Sequence, residues 1–395
     1  MRLLSALALV LAAALPEASA WAQDCPAPQP APVNRCDNPA RMRLAIVGDV
    51  LVHQALAWRG YQRGFDSLWY DAVPALRDAD LTIANLEGPV APGLTRDGRR
   101  VADPGPVFDD RVYTEYPAFN YHPVLIDALR QAGVDVVTTA NNHAMDRGRA
   151  GAEATLAALD AAGMAHVGSV PGGQDRATPL RLRTPVGPLS LFACTFGTNG
   201  LADPRRQVPL CYDDAGLLAR RVADEVARGA AVMVLPHWGQ EYSLDPDADQ
   251  RRFARQMAEA GAFAVVGTHP HVPQPWDMLE TARGTVPVIY STGNFIAAQP
   301  PLERATAILA RLDLCQSGGR VVVGAAGYIP LQMEFDGADP SLTLPRPGMG
   351  PRAEAGLQLL ERLIPGRSMG ASGCAATAPA RRVPGETPPQ VRTDR

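Results

Sequence analysis

The sequence predicts an α/β fold. Three patterns carry that prediction: helical stretches close on glycine, short apolar runs follow at once, and the two kinds of segment take turns along the chain. Glycine just past a helix is the left-handed cap position. Apolar runs without alternation are strands covered on both faces. Their regular exchange with helices is the signature of α/β architecture.

In order, residues 44–47 and 81–84 read as two strands with a helix over 65–78 between them. Leu125, Leu129 and Ala132 lie at helical spacing, and Gly133 then precedes a strand over 134–138. Leu156 and Leu159 lead to Gly163 and a strand over 165–167. Leu218, Val222 and Val226 lead to Gly229 and a strand over 231–235. Phe253, Met257 and Ala260 lead to Gly261 and a strand over 263–266. Residues 92–121 break this order with Pro, Gly, Asp and Arg, and read as a long surface insertion. From Arg304 onward the pattern becomes antiparallel, with strands near 306–314, 321–328 and 331–335, and a helix over 354–363.

The ends read differently. Arg2, an apolar run over 3–15 and the small residues Ala18-Ser19-Ala20 or Ala20-Trp21-Ala22 make residues 1–22 a signal peptide. The run is too short for a membrane span. Residues 23–40 are a Pro- and Ala-rich tether, 41–335 the main domain, 336–365 an extension with a helix, and 366–395 a disordered tail. The mature chain is expected in the periplasm or outside the cell. Its six cysteines then suit disulfides. Short separation favours Cys25 with Cys36 and Cys194 with Cys211, leaving Cys315 and Cys374; a free, buried Cys194 is the alternative. The net charge of −4 argues against a broad basic face for nucleic acid. No lysine is present, so any cationic contact to an anion falls to arginine. Arg96, Arg99 and Arg100 in the insertion are either such a contact or a solvated loop. Oligomeric state is not legible.

Short polar clusters accompany the apolar runs. They are Gly48-Asp49 with His53, Asn85-Leu86-Glu87, Asn141-Asn142-His143 with Asp146, His237-Trp238-Gly239, and His269-Pro270-His271. Taken singly, each has a plain structural reading as a turn, a helix cap or a core histidine. Taken together they place Asp49, Glu87, Asn142, His237 and His269 at or shortly after the carboxyl ends of strands, where open α/β sheets build their sites. Asp, Glu, Asn and His are the oxygen and nitrogen ligands of hard and borderline metals. With His271 the set exceeds what a tetrahedral structural zinc site uses, and it suits two ions sharing a carboxylate. His143 is then free to act as a general acid or to contact an anionic oxygen.

These motifs, in this order, resemble the capsule-synthesis CapA family of poly-γ-glutamate biosynthesis, within the calcineurin-like metallophosphoesterase superfamily. The matching stretches are Ala45-Ile46-Val47-Gly48-Asp49, Ala84-Asn85-Leu86-Glu87, Thr139-Ala140-Asn141-Asn142-His143 with Asp146, His237-Trp238-Gly239 with Glu241-Tyr242, Gly267 with His269-Pro270-His271-Val272, and Tyr290-Ser291 with Gly293-Asn294-Phe295. The resemblance implies a four-layer α/β/β/α sandwich holding two divalent ions, Mn, Fe or Zn. It implies Asp49, Glu87, Asn142, His237, His269 and His271 as ligands, with Glu87 bridging. His143 and Asp146 are the implied catalytic pair, and Asn141, Glu241 and Asn294 the implied substrate contacts. His53, four residues beyond Asp49, would join the ligands if the chain turned helical after Asp49. The function implied is metal-dependent hydrolysis of a phosphoester or anionic polymer, alongside capsule-synthesis membrane proteins. The alternative is a non-catalytic component that binds an anionic capsular polymer.

Overall fold

The computed structural model describes residues 29–336 and 339–369. The expected signal peptide, Cys25, Cys374 and the tail beyond 369 lie outside the described residues.

The strands are β1 (Ala31–Pro32), β2 (Arg41–Leu51), β3 (Leu81–Leu86), β4 (Val136–Thr138), β5 (Ala165–Val167), β6 (Leu180–Thr184), β7 (Gly187–Thr195) and β8 (Ala231–His237). There follow β9 (Ala264–Val266), β10 (Trp276–Thr281), β11 (Gly284–Ile289), β12 (Asn294–Ala297), β13 (Thr306–Ser317), β14 (Arg320–Asp336) and β15 (Asp339–Thr343). They form a nine-stranded sheet in the order β1-β14-β13-β2-β3-β4-β5, with β12 on β2 and β15 on β14, and a six-stranded sheet in the order β10-β11-β9-β8-β7-β6. Strands β2 to β5 run parallel, as do β7, β8, β9 and β11.

The period of two along each strand builds the layers. Leu44 and Ile46 of β2, Leu81 and Ile83 of β3, and Val136 of β4 point into a core shared with Leu189, Leu191, Met233, Leu235, Val266 and Ile289 of the second sheet. Their neighbours Ala45, Val47, Ala84, Leu86 and Val137 face the other way, onto Leu125, Ile126, Leu129 and Leu159 of the helices Val124–Ala132 and Gly148–Ala162. Phe192, Val232, Val234 and Val265 likewise cover Leu218, Val222, Phe253 and Met257 of Ala215–Ala227 and Ala248–Glu259. Helix, sheet, sheet and helix stack in that order, as the resemblance implies. Gly133 and Gly163 end their helices in the left-handed region, at φ 108° and 65°.

Several expectations need correction. The two strands expected over 321–328 and 331–335 are one, β14. Pro330 interrupts the sequence pattern but not the strand. It sits where the outer edge of β14 lies between its pairing with β1, at Ala325 and Ala326, and with β15, from Gln332. Cys36 bonds Cys315, not Cys25, and so ties the segment expected as a tether to the sheet, where β1 also pairs. Cys194 bonds Cys211, so it is not free. Residues 366–369, expected within the tail, run beside β14: Met369 donates to Tyr328 and Ser368 bridges it. No helix among the described residues is long and apolar enough to cross a membrane.

The 92–121 insertion has little regular structure but is firmly held. The Asn120 side chain donates to the carbonyls of Ala91, Leu94 and Val112. The buried Arg147 reaches the Ala118 carbonyl and the Thr114 hydroxyl. Its arginines Arg96 and Arg99 spend their charge on Asp110 and Asp97 at the surface.

Candidate metal centre

A β-bulge aims Asp49. Along β2, Ala45 and Val47 face the helices, and simple alternation would send Asp49 after them. Between Ile46 and Asp49 the register against β3 slips: Ile46 pairs Ile83, yet Asp49 pairs Asn85. The extra residue turns Asp49 to the side of Ile83, toward the second sheet. Gly48 permits this crossing, because a Cβ there would lie 1.7 Å from the Gly293 carbonyl oxygen.

The other groups arrive from strand ends. Glu87 follows β3, and Asn141, Asn142 and His143 follow β4. His237 closes β8, while His269 and His271 follow β9. All are buried. His269 and His271 hold positive φ values of 99° and 57°. Non-glycine residues adopt this region at a cost of about 1–3 kcal/mol, and such strain gathers at functional sites.

The side chains converge. Around Nε2 of His237 stand Asn142 Oδ1 at 2.9 Å, His269 Nδ1 at 3.2 Å and Glu87 Oε1 at 3.5 Å. His271 lies with Nδ1 3.2 Å from Asp49 Oδ2 and Nε2 3.8 Å from Glu87 Oε1. Two donor groups result, Asp49–Glu87–His237 and Glu87–His269–His271, each with its ligand atoms within 4.8 Å of one another. Glu87 belongs to both.

The donor set fits cations. Both carboxylate oxygens of Glu87 are buried without a hydrogen-bond partner. Leaving such groups unmatched costs at least ~1–3 kcal/mol each, and more for a charge. Asp49 is better served, accepting from Asn85 Nδ2 at 2.8 Å and the His269 N–H at 3.3 Å. Burial alone would raise the Glu87 carboxyl, but His271 and His237 outweigh it and hold it well below the usual range. Burial would lower His271; Glu87 and Asp49 outweigh that and raise it to about 9. The pocket thus draws in positive charge, which a proton or a cation can supply. Burial and the repulsion of His237 and His271 keep His269 far below its ordinary value, in the neutral form a ligand needs.

Beside the cluster, His143 Nδ1 lies 2.7 Å from Asp146 Oδ2, which also accepts the Phe119 N–H at 2.7 Å. Burial opposes charge on His143, yet Asp146 and Glu87 raise its pKa. The Phe119 ring stands edge-on to His143, with centroids 4.8 Å apart. The insertion therefore braces this pair.

The remaining expected residues have other surroundings. His53 does not reach the site along a helix: β2 continues to Leu51, and His53 precedes the helix Gln54–Arg63 as its N-cap. It enters from the side, near Phe119, with Nδ1 accepting from the Ala298 N–H, and burial followed by His271 lowers it to about 4. Asn141 donates to the Leu86 carbonyl and Asn85 Oδ1. Asn294 Oδ1 lies 2.9 Å from His271 Nδ1, and its amide donates to the carbonyls of His271 and Arg304. Glu241 is exposed at the mouth. Sequence reasoning overlooked Asn85 as a site residue, although it shares a strand face with Ile83 and ends an apolar run. It also missed Thr268, whose hydroxyl sits 2.9 Å from His237 Nδ1 and can fix that ring's orientation.

The model of the bacterial capsule synthesis protein family, PGA_cap, matches residues 43–299. The chain belongs to that family. The match runs from β2 through β12, takes in every residue of both donor groups, and stops before β13. The PGA biosynthesis protein CapA of Bacillus subtilis (strain 168) is 28% identical over 290 residues, 70% of this chain and 69% of that protein. The capsule biosynthesis protein CapA of Bacillus anthracis is 26% identical over 343 residues, 83% and 76% of the two. Among solved structures, the calcineurin-like phosphoesterase YfkN of Bacillus subtilis aligns at 12% identity and TM-score 0.42, over 82% of this chain and 96% of that one. At such a score the fold assignment rests on the order of the layers.

Proposed function

We propose that this chain is an exported protein of capsular or poly-γ-glutamate biosynthesis, and that its crevice holds two divalent ions, Mn, Fe or Zn, and hydrolyses a linkage in an anionic phosphoester or polymer. One observation carries the reading: Glu87 is shared by two donor groups while both its oxygens are buried without a hydrogen-bond partner. Asp49 and His237 would complete one ion's ligands, His269 and His271 the other's, and Asn142 stands beside His237. When bound, such a pair supplies Lewis acidity and an acidified water.

The chain's own residues supply the proton chemistry. Asp146 fixes the orientation of His143 and favours its protonated form, so His143 can donate to a departing oxygen or nitrogen. The Phe119 ring closes one side of this pair against water. Export is supported by the N-terminal segment and by the bonds Cys36–Cys315 and Cys194–Cys211, which persist in oxidising compartments. Capsule-synthesis membrane proteins are the partners this role calls for.

The test is reconstitution with Mn, Fe or Zn and assay on simple phosphodiesters and on poly-γ-glutamate. Turnover should fall about 10²–10⁴-fold in His143→Ala while metal content holds. Polymer binding without turnover, indifferent to that substitution, would make the protein a binding component instead.

A further inference from the structure

At the mouth of the crevice one arginine is held in place with no anion to hold. The Arg304 guanidinium carbon lies 3.5 Å from the centroid of the Tyr242 ring. Among the described residues no carboxylate comes within 4.0 Å of its nitrogens. Glu241, the nearest acidic neighbour in sequence to Tyr242, acts on the Tyr242 phenol.

Both layers of this stack are tied to the histidine ligands. The Tyr242 N–H donates to the carbonyl of Pro270, the residue between His269 and His271, at 2.7 Å. The Tyr242 ring lies 6.1 Å from that of His271. The Arg304 carbonyl accepts from Asn294 Nδ2 at 3.0 Å, and the same Asn294 side chain contacts His271. Tyr242 adopts φ 67°, a strained conformation for a side chain of its size. Tyr242 is 41% exposed, so core packing does not require that placement.

A guanidinium lying flat on an aromatic ring keeps its in-plane N–H donors free, and their fork matches a carboxylate or a phosphoryl group. The stack removes rotamer freedom before any ligand arrives, which lowers the cost of binding. We propose that Arg304, presented by Tyr242, is a recognition subsite for an anionic oxygen pair that the substrate carries outside the linkage at the metal centre. This rests on reading the crevice as a metal centre. It narrows the substrate class to molecules with a second negative group next to the reacting one, as in an acidic polyamide or a polyphosphodiester.

The experiment uses the full mature chain loaded with Mn, with metal content measured on each sample. Calorimetric titration would compare a γ-linked glutamate oligomer, its uncharged glutamine counterpart and a glycerophosphate oligomer. Wild type should bind a charged oligomer better than the neutral one. Arg304→Gln and Arg304→Ala should weaken that charged oligomer about tenfold to hundredfold, leave the neutral one unchanged, and retain the metal. Arg304→Lys should recover only part of the loss. Whichever charged oligomer responds identifies the carboxylate or phosphoryl source. Equal binding of charged and neutral oligomers by wild type, no binding of either charged oligomer, or equal binding by wild type and Arg304→Gln overturns the subsite. Absence of metal from wild type would instead sink the metal-centre reading, and the same samples report it.

Discussion

The two ends of this sandwich are built to opposite purposes. At the carboxyl ends of the parallel strands, charged and polar side chains are packed to near-zero exposure, both oxygens of Glu87 lack a hydrogen-bond partner, and His269 and His271 hold strained backbones. At the amino ends lies a cavity of about 470 Å³ between Val186, Ala231, Phe263 and Val321, rimmed by Arg283 and Arg320. This opening is the chemically poorer of the two ends. Its two arginines are exposed, and the glycines beside it, Gly229 and Gly261, follow the ends of helices. Site chemistry tracks unmatched buried charge and backbone strain, not empty volume.

The most severe way to break this contrast is Glu87→Gln. It should leave the fold intact and abolish binding of at least one ion, with hydrolysis lost; elemental analysis of purified protein reads the result. Next come the disulfides, one at each end. Cys36–Cys315 spans 279 residues and Cys194–Cys211 spans 17. Chain entropy assigns them ~5.6 and ~3 kcal/mol respectively. Replacing both cysteines of the longer bridge by serine should cost more stability yet spare metal content. Replacing those of the shorter should cost less stability but loosen the loop after β7. That loop carries Phe196, whose ring is tilted against His269 with centroids 4.4 Å apart, and Asn199, bonded to Asn142, so ligand affinity should fall as well. Denaturant melts and metal titrations on the same variants separate the two effects.

A smaller effect concerns His53. Its pKa is lowered to about 4 by burial and by repulsion from His271, so the folded protein keeps it neutral where the unfolded chain takes up a proton. Its contribution to stability is complete above pH ~6.5 and is lost as pH falls toward 4, at no more than ~1.4 kcal/mol per pH unit. A bound cation acts in the same direction. His53→Gln should flatten the acid side of the stability profile; an unchanged slope would mean that His53 is not kept neutral. Smallest is Arg320→Gln at the opposite end, expected to shift stability by less than ~0.5 kcal/mol and to leave metal binding untouched.

Much of this was legible in advance, and the particular residues show why. Runs such as Val232–Val234 and Ala264–Val266 are apolar on both sides because both faces are covered. A polar residue closing such a run, as His237 does on β8, has nowhere to go but the strand end. The bulge at Gly48 was not legible, because it depends on a carbonyl contributed by Gly293. Strand β10, at the edge of the smaller sheet, lacks the double burial that marks the central strands. The Cys36–Cys315 bond joins segments that only the closed sheet brings together. For His53 the sequence left open a helical turn after Asp49, where β2 instead continues to Leu51.

The most direct test of the metal centre is anomalous diffraction at the metal edge, from crystals of protein purified without chelator. Two peaks should flank Glu87, one beside Asp49 and His237 and the other beside His269 and His271. A map with no peak there, or with its density at the Arg283–Arg320 cavity, would contradict the account.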